Sequence, residues 1–110
     1  MNNYDFVVRI GEQAPEVEPV NLLKSIEANN ALHHAYQWAS ARAEQSITAA
    51  NAKVYIEAIE QNREFEPMNP DRADYVQLLY IMGNLSSWRG EHAKESRQAL
   101  KEYMATIKNS

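Results

Sequence analysis

Apolar side chains recur at steps of three and four along the middle of the chain. Leu32, Tyr36, Ala39, Ala43, Ile47, Ala50, Val54 and Ala58 follow one another in this way, which is helical spacing. Residues 20–64 contain no proline or glycine and are rich in Ala, Leu, Glu, Lys and Gln, all good helix formers. The pattern therefore predicts helix over 20–64. Much of the stripe is alanine, so a neighbouring helix can approach closely. Length sets a condition. One helix of that span would reach roughly 65 Å, whereas a domain of this size has a radius of gyration of about 13 Å. Either the helix breaks, near Asn29-Asn30 or Gln45-Ser46, or a second subunit covers the overhang.

A different period governs the start of the chain. Tyr4, Phe6, Val8 and Ile10 alternate with Asp5, Val7 and Arg9, and Gly11 follows. This is a strand signature. No second strand pattern occurs. A lone strand leaves backbone groups unpaired. Its solutions are pairing with its copy in a second subunit, addition to a partner's sheet, or an arm laid over the helices. Residues 11–19, with Pro15, Pro19 and three glutamates, read as a linker.

After residue 64 the period is helical again. Asn69 is an N-cap candidate, with Pro70 at the first helical position and Asp71 in the first turn. The helix predicted over 70–88 places Tyr75, Leu78, Met82 and Leu85 on one face. Val76, Leu79 and Tyr80 widen that face around much of the circumference. Such a helix is central to a core or forms an interface. Gly90 supplies a stop. A last amphipathic helix is predicted over 91–107, marked by Ala93, Arg97, Leu100, Met104 and Ile107. The expected fold is all-α: a single domain of three or four helices. It comprises an N-terminal β-arm and linker (1–19), a long or broken Ala-rich helix (20–64) and a C-terminal helical hairpin (70–107). The orphan strand and the long helix both favour a homo-oligomer.

Composition narrows the chemistry. The chain has 110 residues, 45% hydrophobic and 24% charged, with a net charge of −4. These are ordinary globular values. The negative balance does not favour non-specific nucleic-acid binding. There are no cysteines, which excludes disulfides, thiolate metal sites and cysteine nucleophiles, and fits a cytoplasmic setting. The opening residues lack the basic and apolar regions of a signal peptide. The most apolar stretch, 75–85, falls short of the ~20 residues that span a bilayer, so no membrane association is expected.

Candidate chemistry is sparse. His33 and His34 are adjacent, so on a helix they point about 100° apart. No carboxylate lies three or four residues from either, and no metal is expected there. Glu57, Glu60 and Glu64 line one helix face, followed by Glu66, Asp71 and Asp74. Arg63 and Arg72 can relieve that cluster, which otherwise forms a solvated or partner-binding acidic patch. Trp88-Arg89-Gly90 joins two helices, the outline of a helix-turn-helix. Yet Glu91, Glu95 and Glu102 share the second helix with Lys94 and Lys101, and the basic footprint of a DNA reader is weak. No phosphate loop or nucleophile elbow occurs, and no cofactor is implied.

The segment from Leu78 through Met82-Gly83-Asn84 and Trp88-Arg89-Gly90 to Lys94 resembles the ending of small bacteriophage and prophage proteins. The resemblance implies a small accessory protein that acts by binding. The sequence thus predicts a non-enzymatic, oligomeric protein that binds and regulates or inhibits a macromolecular protein partner. The candidate contacts are Tyr4, Phe6, Val8, Glu57, Glu60, Glu64, Trp88 and Arg89. Two alternatives remain open. One is a small-molecule-binding or nucleotide-sequestering module with its pocket at a subunit interface, in which Arg89, Arg97 and His92 hold phosphate and Trp88 stacks a base. The other is a DNA-binding regulator built on the last two helices.

Overall fold

Two serines set the helix starts in the first half of the chain. The structure is a computed structural model, and it describes residues 22–65 and 68–108. Helix α1 spans Ile26–Arg42, and Ser25 Oγ accepts a hydrogen bond from the Ala28 amide at 3.2 Å. The chain turns through 43–45. Helix α2, Ile47–Glu57, then starts in the same way, with Ser46 Oγ accepting from the Ala49 amide at 3.2 Å. Each serine satisfies an amide that the first helical turn leaves without a partner. A second interruption at Ala58 separates α2 from α3, Ile59–Phe65. Helix α4, Pro70–Gly83, begins as its sequence predicts: Asn69 Oδ1 accepts from the Arg72 amide at 3.0 Å, and Pro70 opens the first turn. Helix α5 spans Ala93–Ile107.

The described residues form five helices and no strand. The strand predicted at Tyr4–Ile10 lies outside the described residues, as do the linker and the first residues of the predicted 20–64 helix. The long helix resolves by breaking at 43–46, one of the two expected places; Asn29-Asn30 lies inside α1. A subunit to cover an overhang is therefore not needed. The predicted 70–88 helix ends at Gly83, because the chain leaves helical geometry at Asn84. The two C-terminal helices are joined by residues 84–92 rather than by a tight turn.

The break also resets the phase of the apolar stripe. Leu32, Tyr36 and Ala39 are buried as predicted, but Ile47 is 82% exposed and Val54 is exposed too. Helix α2 buries Ala49, Ala52 and Ile56 instead. A stripe read continuously across a turn loses its face at the turn.

Helix α1 packs against α2 and α5, and α4 packs against α2, α3 and α5. The four longer helices thus close a ring with α1 and α4 diagonal, and α3 sits outside it on α4. Ala28, Ala31, Ala35 and Ala39 of α1 are buried, which permits the close approach of α2 and α5. Leu32, Ile56, Leu78, Ile81, Leu85 and Leu100 fill the centre. No helix among the described residues is long and apolar enough to cross a membrane. Replacing Ser46 with alanine removes the α2 cap, and a loss of about 1 kcal/mol is expected. Thermal melting of S46A checks this as a drop of several degrees; an unchanged melt would mean the α2 start is held by packing alone.

Candidate functional site: the outer face of α4

Helix α4 carries its polarity the wrong way round for a surface helix. Inward, beside Leu78 and Ile81, it buries Asp74 and Gln77. Outward it shows Val76, Leu79 and Tyr80, with Leu79 49% and Tyr80 54% exposed. An ordinary amphipathic helix does the reverse.

Helix α3 makes the inward polar groups tolerable. Arg63 meets Asp74 with two parallel hydrogen bonds, Nε to Oδ1 at 2.7 Å and Nη2 to Oδ2 at 2.8 Å. This bond to Asp74 raises the pKa of the Arg63 guanidinium, against the opposing effect of burial. The Asn62 side-chain amide donates to Gln77 Oε1. Gln77 Nε2 in turn donates to the Tyr55 carbonyl at 2.8 Å. Buried polar groups are stable only when satisfied, and here each of these finds a partner on α2 or α3. Those bonds pin α3 along α4 and fix where Phe65 stands.

Phe65 ends α3 fully outward, 76% exposed. Between it and α4 lies an open groove of about 370 Å³, lined by Asn62, Phe65, Arg72, Ala73, Val76, Gln77 and Tyr80. The Tyr80 ring also lies 5.6 Å from Tyr55. Leu79, on the same side of α4 as Val76, extends the apolar area beyond the groove. Scattered surface hydrophobics are normal, but a contiguous apolar area around a groove marks an interaction site. The sequence pointed to Val76, Leu79 and Tyr80 as part of one wide face. It did not single out Asp74 or Gln77 as inward, although both share helical register with Leu78, Ile81 and Leu85.

The other candidate residues are dispersed. Glu57 accepts a hydrogen bond from the Tyr36 hydroxyl at 2.5 Å. Glu60 and Glu64 are exposed on α3, and Arg63 relieves the acidic cluster as expected, by pairing with Asp74. Tyr4, Phe6 and Val8 lie outside the described residues. Trp88 departs from its expected place on a contact surface: it is 3% exposed and stacks on Trp38 with ring centroids 5.7 Å apart. Arg97 is turned to the backbone, donating to the carbonyls of Leu85 at 3.2 Å and Trp88 at 2.7 Å. Arg89 donates to the Ser86 carbonyl at 2.6 Å. Together Arg89 and Arg97 hold the 84–92 connection in shape. Within one chain Trp88 and His92 border a shared open pocket, while both arginines are turned to backbone carbonyls.

His92 does come together with the adjacent histidines. It adopts a left-handed conformation, φ 70°, just before α5. Its ring lies flat on His34, with centroids 3.8 Å apart and planes 8° from parallel. His33 stands 6.0 Å from His34. Among the described residues no group of three His, Asp or Glu side chains is placed to hold a metal.

Burial lowers the His34 pKa below its ordinary value, and the nearby His92 and His33 lower it further. A side-chain hydrogen bond with Gln37 and, less strongly, the charge of Glu95 act the other way, and Glu27 and Glu91 also border this cluster. Between the depressed folded pKa and the unfolded value near 6.5, the unfolded chain binds more protons. Stability from His34 is thus complete above about pH 6.5 and declines as pH falls toward the folded pKa. Melting temperature is expected to drop between pH 7.5 and 5.5, with a shallower drop in H34Q. Parallel pH profiles for the two proteins would refute the assignment to His34.

Comparison with protein-family models, with curated proteins and with solved structures finds no match to this chain.

Proposed function

We propose that this is a non-enzymatic interaction protein that binds and regulates or inhibits a protein partner through the outer face of α4. The observation that carries the reading is the inverted polarity of that helix. Asp74 and Gln77 point inward at the cost of dedicated partners on α3, while Val76, Leu79 and Tyr80 point outward beside Phe65. A helix with no partner for its outer face gains nothing from this arrangement. One that docks an apolar surface gains both the contact area and the aromatic anchors typical of interfaces. The partner this face suits presents aliphatic and aromatic side chains rather than a strongly charged surface.

Leu79→Lys tests the reading. Leu79 is half exposed, so the fold should keep its helicity and its melting temperature within a degree or two. Native mass spectrometry of gently purified protein should show the wild type carrying a protein partner at fixed stoichiometry, and L79K losing it. A bare monomer in both samples, or a partner retained equally by L79K, would overturn the proposal. Extra mass of a few hundred daltons in place of a protein would favour a small-molecule-binding module.

A further inference from the structure

The start of α5 is fastened differently from those of the other long helices. Ser25, Ser46 and Asn69 cap α1, α2 and α4, each side chain accepting a hydrogen bond from a first-turn amide. His92 precedes α5 and makes no such bond. Its ring lies instead on His34 of α1, with centroids 3.8 Å apart and planes 8° from parallel. We infer that this histidine stack is an acid-released latch: it holds the first turn of α5 to α1 near neutral pH, and protonation of both rings lets that turn come away. The latch is independent of the outer face of α4.

Charge supplies the release. Histidine is the side chain whose ordinary titration falls between pH 5 and 8. Two neutral imidazoles can lie face to face at this separation, whereas two imidazolium cations repel each other. A charge on His92 also sits at the positive end of the α5 dipole. Among the described residues, the charged side chains bordering the pair are Glu27 on α1, Glu91 in the connection and Glu95 on α5. Glu91 and Glu95 lie 3.8 and 3.9 Å from the His92 ring nitrogens. Both are exposed, so water and salt weaken their attraction. The second proton, on His34, meets the stronger resistance. Burial, then His92 and His33, lower the His34 pKa, and the Gln37 hydrogen bond and Glu95 offset this only in part. The latch is therefore complete above about pH 6.5 and weakens as pH falls toward the depressed folded value.

Backbone geometry says which part moves. His92 at φ 70° and Gly90 at φ 99° are both left-handed. That conformation costs a residue with a Cβ free energy, and in His92 no cap bond repays it. On the side of the connection, Arg89 bonds to the Ser86 carbonyl. On the side of α5, Arg97 bonds to the carbonyls of Leu85 and Trp88. These ties confine the opening to the stretch between them, from Gly90 through the first turn of α5. Ala93 and Ser96, both buried in the latched state, become exposed.

NMR Cα shifts of the full chain, followed from pH 7.5 to pH 5, test the latch. Residues 93–96 are expected to lose more than half of their helical shift by pH 5, while 98–107 and α1 keep theirs. In H34Q one ring is replaced by an uncharged side chain, and 93–96 should stay helical throughout. H92N removes the other ring and keeps a residue that accepts the left-handed φ. It should behave alike, and it stands in should H34Q fail to fold. Helical shifts at 93–96 that persist to pH 5 in the wild type would overturn the inference. So would an unaltered transition in either variant. Simultaneous loss of helix in all five helices would overturn it as well, since the transition would then be global unfolding.

Discussion

Replacing Asp74 with alanine is expected to cost about 3 kcal/mol, a large share of what holds a domain of this size together. The carboxylate is 3% exposed and the Arg63 side chain 26%. Truncation leaves a largely buried guanidinium with two donors and no carboxylate. Breaking a buried pair from one side typically costs 3–5 kcal/mol, because the remaining charge loses its compensation. The partial exposure of Arg63 lets water reach it, so the lower end applies. The expected melting temperature is lower by more than 10 °C, at roughly 4–8 °C per kcal/mol. The paired change R63M/D74L should recover most of that loss, since a well-packed apolar pair often matches a buried ion pair. Urea unfolding of the wild type, R63M, D74L and R63M/D74L closes the double-mutant cycle, with D74A measured beside them. A loss below about 1 kcal/mol in D74A would mean that water, not Asp74, satisfies Arg63. The same pair holds α3 on α4, so D74A should also loosen the groove wall that carries Phe65.

Much of the architecture follows from short-range rules that a sequence displays. Asn69-Pro70-Asp71 specifies a helix start by capping and by the fixed φ of proline, and α4 begins there. The Ala93, Leu100, Met104 and Ile107 face of α5 is buried as its spacing predicts. The break at Ser46 was one of two places that length demanded. Its choice over Asn29-Asn30 depends on tertiary facts: Asn29 is used to clamp Leu23, and Ser46 to cap α2.

What the sequence concealed is where a periodic apolar pattern meets a neighbour. Val54 and Ile47 look like core by spacing, yet they face outward because the turn at 43–45 rotates α2 relative to α1. Asp74 and Gln77 look like surface by residue type. They are inward because Arg63 and Asn62, more than ten residues earlier, come round to meet them. Such pairings are long-range and leave no local signature. The stacking of His92 on His34 is of the same kind: nothing in the spacing of 34 and 92 brings the rings together.

Trp88→Ala separates two physical accounts of that residue by magnitude. The sequence around it, a tryptophan beside an arginine and a glycine between helices, suggests an exposed contact. On that account truncation would change stability by no more than about 0.5 kcal/mol. In the structure the indole is buried, stacks on Trp38 and belongs to the core cluster with Leu85, Ala93 and Leu100. Removing a buried tryptophan empties a large volume that neighbours refill only in part, and costs about 3–5 kcal/mol. The expected outcome of W88A is therefore a severe loss of stability. W88F keeps an aromatic partner for Trp38 and should recover roughly half of it. Arg97 bonds to the Trp88 carbonyl rather than to its ring, so the backbone of the connection stays tied. The damage should begin in the core between α1, α4 and α5 rather than at the connection. Chemical denaturation with Trp38 fluorescence as the probe measures both effects. Full stability in W88A would return the indole to the surface and reopen the 84–92 connection as a binding site.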